Sequence, residues 1–323
     1  MTPAEAQMAP AQEPANAPGR AEVPVEGRVG ADAVSGANEF ISWGARSDVG
    51  LVRGHNEDSF LLRTPLFVVS DGMGGHAAGE VASSLAVDTI GRNAPGTADD
   101  TLLGAAIEAA NLTVINGAEN GIGKPGMGCT ASAVLIEGNK MAVGHVGDSR
   151  VYLLRRGTLV RVTHDHSYVE ELVDSGQITA DEARVHPSRS IITRALGSDP
   201  EMYADHFSLE VANGDRIIVC SDGLSSMISD ADIESVAVSA ASAQQAADNL
   251  VASALTAGGS DNVTVIVVDV LNDGVAAANH TKLRERAAII GGVLAALVAV
   301  VAVAAVFFIT RIENRKAAHA EVK

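Results

Sequence analysis

The stretch "FVVSDGMGGHAAGEVASS", residues 67–84, runs a short apolar segment into an acid and then into three glycines within four residues. Phe67-Val68-Val69 has the β-branched and aromatic composition of a buried strand. Asp71 stands where that strand ends, and from Ala77 the apolar residues recur with helical spacing. Taken alone, this pattern indicates either an ordinary strand–turn–helix connection or a site where glycines let an ion or a phosphate approach the main chain.

Composition limits the classes of protein that the chain can form. Of its 323 residues, 47% are apolar but only 3% are aromatic, so the core must consist of Val, Ile, Leu and Ala. The formal net charge of −17 argues against general nucleic-acid binding, which needs a basic surface. Cys129 and Cys220 are the only cysteines and each lies in an apolar stretch, which favours free thiols in a reducing compartment over a disulfide.

The two ends of the chain differ from the middle and from each other. Residues 1–38 are rich in Ala and Pro and lack the apolar core of a secretory signal, which predicts a disordered tail. Residues 287–310 contain no charge and would reach about 36 Å as a helix, which predicts one transmembrane helix; a buried soluble helix is the alternative. A tether (274–286) would precede this helix and a short tail (311–323) would follow it. Because basic residues flank the span on both sides, the missing signal peptide decides the expected orientation, with the large domain in the cytosol.

Residues 39–273 have one continuous pattern and are predicted to form a single domain. Strand-like runs cluster at hairpin spacing, with turns at "EGNK" and "RRG", and do not alternate one-for-one with helical runs. This predicts an α+β sandwich of antiparallel sheets with helices packed outside, and argues against a doubly wound parallel sheet. The predicted strands are 40–48, 59–62, 66–70, 131–136, 141–146, 150–154, 158–162, 217–221 and 263–270, and the predicted helices are 79–93, 100–118, 168–175 and 243–257.

Acidic residues recur at the ends of these predicted strands. Any one of them is readily explained as a turn residue, since Asp favours turns for its own hydrogen-bonding reasons. Strand ends on one edge of a sandwich lie side by side, however, and carboxylates gathered there would repel one another without a cation. Oxygen ligands without clustered Cys or His suit Mg²⁺ or Mn²⁺, and two such ions can activate a water and hold a phosphoryl group. The acids are Glu57, Asp58, Asp71, Asp148, Asp222 and Asp261.

Arg53 precedes the first of these acids by four residues. Its guanidinium is suited to bidentate binding of phosphate oxygens, although a surface ion pair is the alternative.

Eight segments together resemble one enzyme family. The chain is similar, in motif order, to the metal-dependent Ser/Thr protein phosphatases of the protein phosphatase 2C type, and among them to the bacterial branch. The resemblance covers residues 40–270 and implies a four-layer sandwich of two mainly antiparallel β-sheets flanked by α-helices. The segments are "SDVGLVRGHNEDS", "VVSDGMGGHAAGEVAS", "GCTASAV", "GHVGDSRVYLL", "THDHS", "RALG", "VCSDGLS" and "GGSDNVTVIVV".

The resemblance also implies a role for each acid. Asp71 matches the carboxylate that bridges two metal ions, and Gly72 matches the residue whose backbone oxygen binds the first ion. Asp222 and Asp261 match ligands of the second ion. The pair Glu57 and Asp58 supplies that ion with a further acid, directly or through water, with Asp58 the favoured one. Asp148, together with Asp222, matches the holder of a weaker third ion, and Arg53 matches the phosphate-binding arginine.

The identity of the leaving-group acid stays open. Met73 occupies the position at which many eukaryotic members of this family have a histidine. His76 is a candidate for substrate contact, with a structural role equally compatible. His164 and His166 are expected to fix a strand-to-helix turn, and residues 168–192 fit the mobile flap of the family or an ordinary exposed excursion.

The predicted function is hydrolysis of phosphoserine and phosphothreonine in proteins by a metal-activated water. Two Mn²⁺ or Mg²⁺ ions are the expected cofactors, with a third weaker ion, and Arg53, Asp71 and Asp222 are the expected catalytic residues. The enzyme would be anchored in the cell membrane, act in the cytosol on phosphoproteins and oppose Ser/Thr kinases, without binding nucleic acid. The alternative is a catalytically inactive, phosphoprotein-binding membrane scaffold, and a two-metal nuclease is disfavoured by the acidic charge.

Overall fold

The computed structural model describes residues 34–74 and 78–272, which form two antiparallel β-sheets covered by helices. Sheet I has six strands in the spatial order β1-β2-β13-β12-β9-β10 and sheet II has five in the order β11-β8-β7-β4-β3. A small third pair joins β5 and β6. The strands are β1 (Val34–Ala37), β2 (Ile41–Asp48), β3 (Ser59–Arg63), β4 (Leu66–Ser70), β5 (Gly72–Met73), β6 (Gly128–Cys129), β7 (Ala131–Glu137), β8 (Lys140–Val146), β9 (Arg150–Arg155), β10 (Thr158–Arg161), β11 (Asp205–Glu210), β12 (Arg216–Cys220) and β13 (Val263–Val270).

Seven helices lie in the described residues, and five of them (α2, α3, α4, α6 and α7) begin with a side-chain cap. Ser229 and Asp232 form a reciprocal capping box at the start of α6, and Thr179 and Glu182 form another at the start of α4. Such caps supply hydrogen-bond partners to the first backbone N–H groups of a helix. The helices are α1 (Ala78–Asn93), α2 (Asp100–Glu119), α3 (Tyr168–Asp174), α4 (Ala180–Arg184), α5 (Asp222–Ser225), α6 (Asp230–Ser239) and α7 (Ala243–Thr256).

Three apolar cores separate four layers. In β4 the side chains of Phe67 and Val69 pack between the two sheets, whereas Leu66 and Val68 belong to the core beneath α1 and α2. On the far side, a third core joins sheet I to α6 and α7. Both faces of β4 are therefore buried, which explains its unbroken apolar composition. The order of layers is helix, sheet, sheet, helix, as the sequence predicts.

The structure adds elements that the sequence pattern does not indicate. Strand β1 pairs with β2, so the sheet begins five residues before the predicted domain boundary at residue 39. Strand β11 and helices α5 and α6 were also not predicted. The strands at 66–70 and 263–270 have the predicted bounds, and the other predicted strands agree to within one residue at each end.

Among residues 34–74 and 78–272, no helix combines the length and the apolar character that a membrane crossing requires. The predicted transmembrane helix at 287–310, with its tether and tail, lies outside the described residues, as does most of the tail predicted at 1–38.

Candidate metal centre

Five predicted acids line one cavity of about 340 Å³ at an edge of the sandwich. Asp71 directly follows β4 and Asp222 lies two residues after the end of β12, so both come just after sheet strands that end at this edge. Asp148 lies in the connection from β8 to β9, and Asp261 lies two residues before β13. The structure thus brings together acids that are up to about two hundred residues apart in sequence. The five acids are Glu57, Asp71, Asp148, Asp222 and Asp261.

Asp58 lies behind the cavity and not on its wall. Its side chain is almost fully buried, and one carboxylate oxygen accepts hydrogen bonds from the hydroxyls of Ser221 (2.8 Å) and Thr264 (2.7 Å). Glu57, the other member of the predicted pair, reaches the cavity, and its Oε1 lies 3.0 Å from Nε2 of His55. Of the pair, Glu57 rather than the favoured Asp58 faces the cavity.

The backbone around Asp71 is fixed by a neighbouring loop. The Asp71 N–H donates to Oγ1 of Thr130 (2.9 Å), and the Thr130 N–H donates to the Asp71 carbonyl (2.9 Å). Oγ1 of Thr130 is also 2.7 Å from the hydroxyl oxygen of Ser149, next to Asp148. These contacts hold Asp71 and the Asp148 loop in one arrangement.

The glycines after Asp71 serve a close packing of main chains. A Cβ atom on Gly72 would lie 2.2 Å from the carbonyl oxygen of Gly79 and 2.5 Å from that of Glu57. A Cβ atom on Gly79 would lie 2.7 Å from Oε2 of Glu57. No side chain fits in these spaces, so the strand–turn–helix segment can approach the Glu57 loop only with glycine at both positions. This packing accounts for two of the glycines in the opening segment.

Arg53 reaches across the mouth of the cavity to Asp261. Its Nη2 donates to Oδ2 of Asp261 at 2.7 Å, and about half of its side chain is exposed. Asn262 fixes the loop that carries Arg53, because its Oδ1 accepts from the Glu57 N–H (2.8 Å) and its Nδ2 donates to the carbonyls of Val49 and His55. The guanidinium is therefore held beside the acids while remaining open to solvent.

The electrostatics of the acids are unfavourable without a cation. Burial, together with the charge of Asp261, raises the pKa of Asp222 to about 6, and burial raises the pKa of Asp58 to about 7 despite its two hydroxyl donors. The pKa values of Asp71 and Asp148 are raised well above the ordinary value, first by burial and then by the neighbouring carboxylates. Like charges held together out of water are costly unless a counter-charge lies between them.

Unpartnered oxygens identify the donors that a cation would use. In the described part of the chain, Oδ1 of Asp58, Asp148 and Asp222 is buried and has no hydrogen-bond partner. Buried polar atoms in folded proteins are normally paired. An all-oxygen set of donors fits a hard divalent cation such as Mg²⁺ or Mn²⁺, so the residues present suit the predicted ions.

Three comparisons with known proteins agree with one another. A sequence profile described as Protein phosphatase 2C matches residues 54–257. The chain belongs to the protein phosphatase 2C family. It is 43% identical over 235 residues to the serine/threonine protein phosphatase PstP of Mycobacterium tuberculosis, and the match covers 72% of this chain and 45% of the relative. The chain therefore spans about half the length of the mycobacterial relatives that it matches.

Other members of the family extend the likeness. The serine/threonine phosphatase stp of Listeria welshimeri is 36% identical over 236 residues, covering 69% of this chain and 94% of the relative. The crystal structure of the catalytic domain of PstP in complex with two manganese ions superposes with a TM-score of 0.67 at 41% identity, covering 72% of this chain and 99% of that structure. The fold of this phosphatase family is thus the fold of the described residues.

A hydrogen-bonded chain supports the Asp148 loop of this phosphatase-family site from behind. The Gly147 N–H donates to Nδ1 of His166 (3.0 Å), so the ring proton sits on Nε2, which donates to Asp205 (3.0 Å). Arg194 donates to the other oxygen of Asp205 and stacks on Tyr203. The expectation that His166 fixes a turn agrees with these contacts, whereas His164 is half exposed and pairs with Asp174.

The two residues discussed for the leaving group and the substrate are placed differently. Met73 lines the cavity. His76, the candidate for substrate contact, lies outside the described residues. Sequence reasoning missed Thr130, Ser221 and Thr264, which carry the hydrogen bonds behind the acids; hydroxyl residues beside strands are too common for the pattern to mark them.

Proposed function

We propose that this protein is a metal-dependent serine/threonine protein phosphatase. The observation that carries the proposal is the set of five acids on one cavity wall, with the Arg53 guanidinium across its mouth. Family membership supports the same reaction class, since PstP and stp are named as serine/threonine phosphatases.

Divalent cations would be held by the acids on the cavity wall. Asp71, the Gly72 carbonyl, Asp222 and Asp261 would hold two ions, with Glu57 and Asp58 contributing directly or through water. Asp148 and Asp222 would hold a weaker third. Mn²⁺ is supported by the two manganese ions in the PstP structure, and Mg²⁺ suits the same oxygen donors. When bound, such ions supply an activated water and neutralise phosphate charge.

Arg53 would orient the phosphate of the substrate. Its Nη2 is held by Asp261, which aims the rest of the guanidinium at the cavity and leaves N–H groups for phosphate oxygens. Met73 has no proton to donate, so the group that protonates the leaving serine or threonine oxygen lies elsewhere.

We propose in addition that the enzyme is membrane-anchored and faces the cytosol. The support is the uncharged run at 287–310 together with two buried free cysteines, which suit a reducing compartment. Its substrates would be phosphoproteins near the membrane, including Ser/Thr kinases.

Fractionation of cells that express the full chain, followed by alkaline extraction, tests the anchor: release of the protein by alkali would contradict it. Proteolysis of sealed membranes tests the orientation, since a cytosolic domain is protected in whole cells and cleaved in inverted vesicles.

The activity is tested with the full chain in detergent and two peptides, one with phosphothreonine and one with phosphotyrosine. We expect phosphate release from phosphothreonine with Mn²⁺ or Mg²⁺, little release from phosphotyrosine, and none in EDTA or in Asp222→Asn. Asp248→Asn, which changes an exposed acid of α7, is the matched control and should retain activity. A folded wild type that is silent with both metals but still binds phosphopeptide would establish the inactive scaffold instead.

A further inference from the structure

A second cavity, of about 410 Å³, adjoins the metal centre. The two cavities share a wall made of Asp148, Asp222 and Asp261 with Ser190 of the flap. From this wall the second cavity extends between α3 and α4 on one side and the segment of α5 and α6 on the other. A substrate chain that leaves the metal centre in this direction must enter it.

Most charges in this second cavity are already balanced. Arg150 binds Asp165 with three hydrogen bonds of 2.6 to 3.0 Å, and Arg161 binds Glu170. Asp230 accepts a hydrogen bond from the hydroxyl of Tyr152 (2.9 Å) and lies 3.6 Å from Arg150. The three acids of the shared wall belong to the metal centre. These groups leave little charge for a ligand to bind.

Arg184 and Arg189, two arginines of the flap, lack ion-pair partners of this kind among the described residues. In residues 34–74 and 78–272, neither Arg184 nor Arg189 has a carboxylate within ion-pair distance. Asp232 lies beyond that distance from Arg184 but near enough to interact with its charge. Nε of Arg184 is buried without any partner, and its Nη2 makes only a long contact of 3.4 Å to the Met227 carbonyl. Arg189 is exposed, and both arginines line the second cavity. Apart from the acids of the shared wall, the lining has one further charge without an ion-pair partner among the described residues, Asp181, which is exposed in the first turn of α4.

Hydroxyl groups complete the lining near these arginines. Ser190, Ser225 and Ser226 line the same cavity; Ser225 is buried, Ser226 is half-buried and Ser190 is exposed. Within the described part of the chain, none of these three hydroxyls makes a hydrogen bond. Donors without acceptors that are buried or half-buried, here Ser225 and Ser226, favour an incoming oxyanion. Guanidinium groups bind carboxylate and phosphate in bidentate geometry.

We propose that this second cavity binds a further anionic group of the substrate, a carboxylate or a second phosphate placed close in sequence to the phosphorylated residue. Arg184 and Arg189 are the binding residues, and the serine hydroxyls add hydrogen bonds. The inference rests on the proposed phosphatase function and deepens it: the preferred substrates are acidic or multiply phosphorylated segments. An overall charge of −17 repels such segments, so they need local cations of this kind.

The test measures kcat/KM for matched phosphothreonine peptides with the full chain in detergent and Mn²⁺. One peptide has only alanine around the phosphothreonine. The others carry glutamate, or a non-hydrolysable phosphonate, two residues before or two residues after it. The variants are Arg189→Gln, Arg184→Gln and the double variant. Arg156→Gln, in the exposed β9–β10 turn, removes the same charge outside both cavities and is the control.

We expect at least one anionic peptide to exceed the alanine peptide by about tenfold in kcat/KM in the wild type, mainly through KM. The ratio of kcat/KM for the anionic peptide to kcat/KM for the alanine peptide should fall towards one in the double variant. In Arg156→Gln this ratio should stay at the wild-type value. Comparison of glutamate with phosphonate tells which anion the cavity prefers.

A wild-type ratio near one, with the alanine peptide hydrolysed, would overturn the inference and leave the phosphatase function intact. A ratio that survives in the double variant would also overturn it. If no peptide is hydrolysed at all, the phosphatase function itself fails. Hydrolysis of the alanine peptide by each variant shows that it is folded, and exposed Arg189 provides a variant that leaves the packing of Arg184 untouched.

Discussion

Gly72 shows how a single missing side chain shapes the metal centre. Any Cβ at this position would lie well inside the contact distance of two carbonyl oxygens, on Gly79 and Glu57, and both belong to backbone that cannot rotate away. The main chains at Glu57 and Gly79 can therefore approach the Gly72 backbone this closely only because the position is glycine. Sequence alone indicates that glycine is needed here but not which atoms require it.

Gly72→Ala should lower the free energy of unfolding by about 1–3 kcal/mol or more, because overpacked cores must shift backbone to relieve the clash. Gly96→Ala is the control, since no atom lies within 4 Å of the added methyl group and its φ lies outside the left-handed range. That change should be neutral or stabilising by up to about 1 kcal/mol. Urea unfolding in EDTA measures both, and equal midpoints for the two variants would contradict the packing argument.

His145 is a buried histidine on β8 whose charge the fold excludes. Burial, and next the charge of His166, lower its pKa to about 3 from the ordinary 6.5. Its Nε2–H donates to the His164 carbonyl (3.0 Å), so the neutral ring is satisfied. Because the folded pKa is below the unfolded one, the neutral ring contributes stability fully above pH 6.5, and this is lost as the pH falls from 6.5 towards 3.

Between pH 6.5 and pH 4, the free energy of unfolding should decrease less in His145→Gln than in the wild type. The difference should be on the order of a few kcal/mol. Urea midpoints across this pH range measure the difference. Parallel curves for wild type and His145→Gln would show that His145 is not the group responsible.

At the scale of elements, β11 and its loop hold the Asp148 loop in place. Asp205 begins β11 and accepts from Nε2–H of His166, which forces Nδ1 to accept from the Gly147 N–H. The strand therefore controls the tautomer of a ring that positions the residue before Asp148. Such partners orient functional groups without contacting the substrate.

Asp205→Asn should change the tautomer of His166, because the amide can donate a hydrogen bond to Nε2. The ring proton would then sit on Nδ1, where it would face the Gly147 N–H, so that two donors would meet without an acceptor. We expect a loss of about 1–3 kcal/mol in the free energy of unfolding and a higher Mn²⁺ concentration for half-maximal activity. Glu210→Gln, an exposed change at the other end of β11, is the control. An unchanged metal requirement in Asp205→Asn would limit Asp205 to a purely structural role.

The sequence predicts elements according to how completely each one is buried. Strand β4 is buried on both faces and therefore reads as an apolar run, so its bounds were predicted. Strand β11 alternates between exposed and half-buried residues along "DHFSLE", a signal too weak to separate from a loop. Helix α6 buries only Ile233 and Ala237 and likewise escaped prediction. The acids are predictable because each lies beside one end of an apolar strand, whereas Arg184 and Arg189 lie in a polar flap without periodicity.

At the scale of the whole molecule, the two sheets pack against one another and against the two helical layers. At one edge of this packed structure, four carboxylates are nevertheless buried. Asp58, Asp71, Asp148 and Asp222 all have raised pKa values, chiefly from burial. The fold therefore tolerates a local loss of stability at a place where cations would restore it. Metal binding and folding stability are expected to be linked in this domain.

This linkage predicts opposite effects of one substitution in two conditions. In EDTA at pH 8, Asp222→Asn should melt at a higher temperature than the wild type, because it removes one buried charge from a repelling cluster. With Mn²⁺ at about one hundred times its dissociation constant, the wild type should gain about 2.7 kcal/mol, or roughly 5–10 °C, and the variant much less. Asp248→Asn should follow the wild type in both conditions. An equal gain from Mn²⁺ in wild type and Asp222→Asn would place the stabilising ions away from these acids, and would remove the physical reason for their burial together.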